Sequence, residues 1–181
     1  MTFPSFSVGE TLRSADMNAV GLWLVKTQTV GTGVSSVTVS NAFSDDYENY
    51  KVIYTNGAGS ALADLRITLG GIGTTSYFGS MFGTSLNTSG FIGLGHLNQT
   101  SWLYCGFATT GYALIDATIY MPFVSGKNKF ISTAWTYNNG GGGYSMFAGE
   151  MTNTSQLSSI TITPSAGTLT GGTIRIYGYR K

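Results

Sequence analysis

The chain has 181 residues, only 9% of them charged, with a net charge of +1. An average soluble domain carries about 25% charged residues, so no long-range field steers this one to nucleic acid or to an anionic membrane. A single cysteine excludes an internal disulfide, and a single histidine leaves zinc sites and charge-relay catalysis short of their usual residues.

Glycine is abundant at 26 residues and aromatics reach 13%. A surface of hydroxyls and amides costs little to desolvate, which suits permanent packing against copies of the chain or a neighbour. A rigid β-domain with many tight turns has the same composition. The opening MTFPSFSVGE has neither the basic nor the apolar region of a signal peptide. No apolar run nears the ~18 residues of a membrane span. The expectation is a protein made in a cytosol, not exported by the usual route and not inserted in a membrane.

Residues 1 to 11 read as an extended arm. A helix is then expected from Ser14, a good N-cap, with Asp16 in its first turn. Met17, Val20 and Leu24 fall on one face, with Ala19 and Trp23 beside them. About ten residues of helix do not hold alone in water, so this one must dock, either on its own β-domain or on a neighbouring subunit. Residues 1–24 are thus set apart as an attachment or oligomerisation element, and 25–181 as the body.

From Leu24 the period becomes two. LVKTQTV and SVTVS read as strands around GTGVS, and NYKVIYT (49 to 55) and ALADLRITLGG (61 to 71) as two more. Residues 73 to 100 carry glycines among Tyr77, Phe78, Phe82 and Phe91, and read as long connections around one or two short strands. Regular strands resume at 102 to 109, 112 to 123, 129 to 138, 144 to 151, 158 to 165 and 172 to 180. Nine or ten strands without intervening helices predict an all-β fold, an antiparallel β-sandwich or jelly roll with a short N-terminal helix.

Candidate chemistry is sparse. His96 and Cys105 are too few for zinc. Asp45, Asp46 and Glu48 share one turn, but without EF-hand spacing. GLGHLN, GGIGTT and GGGGY lack the pattern of a phosphate loop. No catalytic residue, cofactor or metal is expected. Trp102, Tyr104, Trp135 and Tyr137 recur two apart on two strands, so each pair shares a face. Such aromatics stack on sugar rings when they point outward, and fill a core or interface when they point inward. Loops at one end of a β-body are where recognition residues gather. The candidate recognition surface is Tyr77, Phe78, Trp102, Trp135 and Tyr144.

The segment FSVGETLRSADMNAVGLWLV, with Gly9, Leu12, Asp16, Asn18 and Ala19, resembles the opening element of tailed-bacteriophage virion structural proteins. The ending GGTIRIYGYRK is similar to their closing strand, and AFSDDYENYKVIYT to a central one. The resemblance covers both ends and part of the middle. It implies a non-enzymatic virion component, made in the bacterial host's cytoplasm: a tail-fibre or minor tail protein with a host-surface role, or a capsid decoration or head-fibre protein. Its partners would be its own copies in a homotrimer, other tail or capsid proteins, and a host cell-surface glycan. Met17, Val20, Trp23 and Leu24 would be the buried anchors of the attachment element. A carbohydrate-binding module is the alternative from another class.

Overall fold

Period-two burial runs through most of the chain, and hydrogen-bonded strands are its result. The structure, a computed structural model, describes residues 8–9, 21–85, 90–137 and 143–180. Its strands in chain order are β1 (Leu22–Thr29), β2 (Val37–Val39), β3 (Tyr47–Gly59), β4 (Ala63–Leu69), β5 (Tyr77–Ser85), β6 (Phe91–Gln99) and β7 (Trp102–Ala108). They continue with β8 (Ala113–Tyr120), β9 (Lys129–Tyr137), β10 (Gly143–Met151), β11 (Ile160–Pro164), β12 (Leu169–Thr170) and β13 (Thr173–Arg180). Every pairing is antiparallel. The fold is all-β, with no helix among the described residues.

The sheet forks at β8. One side of β8 pairs with β3 along its length. The other side is divided: Ala113 to Ile115 pair with β7, and Ala117 to Tyr120 pair with β9. A long arm follows the order β1–β13–β3–β8–β9–β10–β5–β6, and a short arm runs β7–β4–β11–β2. Past Gly106, β7 has left β8, and the Tyr104 carbonyl instead accepts from Trp135 Nε1 at 3.3 Å and Thr133 Oγ1 at 3.5 Å. Those side chains supply donors that the ladder no longer offers.

The inward residues of both arms form one core. Tyr50, Val52 and Tyr54 on β3, Ile115 and Ile119 on β8, and Ile174 and Ile176 on β13 join Leu65, Ile67 and Leu69 on β4 and Ile160 and Ile162 on β11. Core tyrosines fasten turns through their hydroxyls. Tyr77 Oη accepts from the Leu69 amide at 3.0 Å and donates to the Ile72 carbonyl at 2.9 Å. Tyr54 Oη donates to the Gly171 carbonyl at 2.9 Å, and it passes where residue 57 has room only for glycine: a Cβ there would lie 2.1 Å from that hydroxyl.

Three sequence expectations are corrected. Residues 14–20 of the expected helix lie outside the described residues, but Gly21 has φ 113 and Leu22 to Leu24 belong to β1. Leu22 pairs with Tyr179 and Leu24 with Tyr177, so the closing strand supplies hydrogen bonds that a helix would have made internally. The boundary expected after residue 24 therefore falls inside a strand. Residues 73–100 contain two nine-residue strands, β5 and β6, where long connections around one or two short strands were expected. Their glycines hid the alternation. The described residues form thirteen strands, where nine or ten were expected.

Burial pushes the Tyr77 phenol up to about 12 and also raises Tyr50 and Tyr54. In the unfolded chain a tyrosine ionises near 10. The stabilisation from burying these neutral phenols is complete below pH 10 and is lost as pH rises towards 12. Urea unfolding followed by circular dichroism should give a midpoint level from about pH 7 to 9 and falling from about pH 10 upward. Tyr77→Phe should flatten that fall while costing about 1–3 kcal/mol at neutral pH, because two backbone groups lose their partner.

Candidate interaction surface

Alternation gives the long arm an inner face on the core and an outer face that the short arm does not cover. At the β1 end of the outer face, Leu22, Leu24 and Tyr179 are exposed. The middle is polar, with Lys51 and Asp116 paired across β3 and β8. The far end is apolar again. Register sets Met146 across from Phe82, and the Phe82 and Phe91 rings stack at 5.4 Å. Tyr144, Phe130 and Leu97 are also exposed there.

An open groove of about 490 Å³ runs along this end, lined by Phe78, Ser80, His96, Leu97, Phe130 and Glu150. Its lining residues include a serine, a histidine and a glutamate, the residue types of a charge-relay site. They are not joined. Glu150 Oε1 accepts from Asn128 Nδ2 at 2.6 Å, and His96 Nε2 finds no hydrogen-bond partner among the described residues. The His96 ring packs instead on Tyr104, centroids 4.9 Å apart. Cys105 is buried, and desolvation pushes its thiol well up, which disfavours the thiolate. Among the described residues no group of three His, Cys, Asp or Glu is placed to hold a metal.

The expected recognition residues separate into two sets. Tyr77, Trp102 and Trp135 are core, at 0%, 1% and 5% exposure, and present nothing to a ligand. Trp135 stacks on Phe107 at 5.4 Å, and Trp102 Nε1 donates to the Glu150 carbonyl at 3.1 Å. Phe78 is half-buried in the groove, and Tyr144 is exposed on the outer face. Of the expected anchors, Met17 and Val20 lie outside the described residues. Trp23 is half-buried, its Nε1 without a hydrogen-bond partner among the described residues, and Leu24 is exposed on β1. Sequence reasoning missed Leu97, Phe130 and Met146, and did not place Phe82 and Phe91 on a strand. The signal was present as aromatic and aliphatic residues alternating with glycine in YFGSMFG and FIGLGHL.

No protein-family model, curated protein or solved structure matches this chain.

Core and surface aromatics should separate in stability. Trp135→Ala should cost about 3–5 kcal/mol, the usual penalty for emptying a buried aromatic site. Tyr144→Ala should change stability by no more than about 0.5 kcal/mol. Chemical denaturation of the two variants measures both; equal losses would contradict this division of the faces.

Proposed function

We propose that this chain is a non-enzymatic structural protein of a tailed-bacteriophage virion, a tail-fibre or minor tail protein that assembles as a homotrimer. Its two arms are the layers of a β-sandwich closed over the shared core, and its leading segment attaches it to the particle. The observation that carries the reading is the outer sheet face, which leaves large apolar side chains uncovered at both ends, Leu22 and Leu24 at one and Phe82, Phe91 and Met146 at the other. An apolar cluster of the kind at the Phe82, Phe91 and Met146 end marks a site of association.

The placement of the resembling segments supports the same reading. The end of the opening element lies in β1, the closing segment is β13, and NYKVIYT lies in β3. These are three consecutive strands of the long arm. Segments far apart in sequence thus build one edge of one sheet. Leu24 stands exposed on that edge, available as an anchor. The carbohydrate-binding reading loses its main support, since Trp102 and Trp135 point into the core.

Mass spectrometry of purified tailed particles should find the chain at a few to tens of copies per particle. Hundreds of copies would move it to the capsid, as a decoration protein, and absence from particles would refute the virion role. Removal of residues 1–20 should leave the circular dichroism of the body intact, because every described strand lies beyond them, and should abolish incorporation into particles.

A further inference from the structure

Six large apolar side chains, Phe82, Phe91, Leu97, Phe130, Tyr144 and Met146, stand exposed together at the β6 end of the outer face. They offer roughly 600–700 Å² to a partner, within the ~600–1,000 Å² that each side of a stable protein interface buries. Scattered apolar residues are ordinary on a protein surface, but a contiguous patch of this size is not. The strand beside it is open too. Among the described strands β6 pairs only with β5. It contains no Lys, Arg, Asp, Glu or Pro to blunt its edge, whereas β1 at the opposite edge carries Lys26.

We infer that this face is covered by neighbouring copies of this chain, the same region of each copy meeting the others around the axis of the assembly. Charge favours a copy as the occupant. No Lys, Arg, Asp or Glu occurs between Arg66 and Asp116, so β5 and β6 of two copies meet without burying like charges. A foreign partner with a charged contact surface would find no counter-charge there. Glu150, at the margin, is already held by Asn128. Shape favours a copy as well. Nothing lies within 4 Å of where a Cβ would stand at Gly93 and Gly95. They form a trough between Phe91 and Leu97, which are 75% and 71% exposed. The projecting side chains of one copy fit the trough of another, and symmetry repeats each such contact. A glycan would need fixed polar partners, and on the outer face of β5 the hydroxyls are those of Ser80 and Thr84.

The inference deepens the assembly reading above and rests on it for its setting. Size-exclusion chromatography with light scattering on the full chain tests it. Wild type should run as a multimer, three copies under the proposed function. Phe91→Ser combined with Leu97→Ser should reduce it to the 19.1 kDa monomer with unchanged far-ultraviolet circular dichroism. Leu62→Ser, at an exposed apolar position between β3 and β4 that belongs to neither end of the outer face, should leave the multimer intact. A second readout keeps the apolar side chains in place. Gly93→Cys puts a thiol in open space, while Cys105 is buried, so a short bismaleimide should link copies into one covalent band. A monomeric wild type at about 100 µM, above the µM-to-pM range that standard-size interfaces span, would overturn the inference. So would a multimer indifferent to the double substitution, or a Gly93→Cys variant that does not cross-link. A dimer dissolved by the double substitution sustains the face and refutes the three-fold arrangement. A monomer refutes the face and leaves the virion role to the particle measurement.

Discussion

One strand hydrogen-bonded to three others determines the rest of this molecule. β8 is paired along one side by β3 and divided along the other between β7 and β9. That division creates two arms of unequal width from one sheet. Their inward faces share a single core, so each arm is dry on one side only, as antiparallel sheets commonly are. Four strands of the short arm cannot cover eight of the long one. The excess falls on β6, where Ile92 and Leu94, paired with the inward Gly83 and Met81, remain partly exposed. The uncovered hairpin is therefore a consequence of the fork.

Scarce charge shapes how the interior and surface are held. The Lys51–Asp116 pair stands on the outer face, where such pairs contribute about 0–1 kcal/mol. Lys129 is fully buried, and its Nζ donates to the carbonyls of Val124 and Lys127 at 2.5 and 2.6 Å. Desolvation lowers its pKa. The cation closes the loop between β8 and β9 by satisfying carbonyls that no strand reaches. Polar satisfaction in this protein depends on hydroxyls, indoles and one lysine acting on backbone groups, more than on pairs of opposite charge.

Much of the strand pattern was legible in the sequence. Ile160 and Ile162 against Thr161 and Thr163, and Ile174 and Ile176 against Thr173 and Arg175, alternate as burial does. The direction of the aromatics was not legible, for a physical reason. Trp102 and Tyr104 are two apart on β7, yet the first is buried and the second half-exposed. β7 changes partners there, with a register shift between Leu65 and Ile67 on β4, and the period-two rule holds only along an unbroken ladder. β1 was misread because Met17, Val20 and Leu24 fit a helical period. Leu22 and Leu24 alternating with Trp23 and Val25 fit a strand equally well, and the choice belonged to β13, almost the whole chain away. Glycines in β5 and β6 removed the side chains that would have shown the alternation.

The two edges of the long arm differ in kind. Adjacent strands lie about 4.8 Å apart, so β1 and β6 stand roughly 34 Å from one another across the sheet. The β1 edge carries a lysine and a register shift. The β6 edge is charge-free, glycine-lined and flanked by the largest exposed side chains. Under the proposed function, a subunit held by a scaffold and packed with its own copies would need two surfaces that do not compete. Placing them on opposite edges of one hydrogen-bonded sheet separates them. The hydrogen-bonded ladder between the two edges fixes their relative orientation, so under the proposed function the geometry of self-packing would follow from the geometry of attachment.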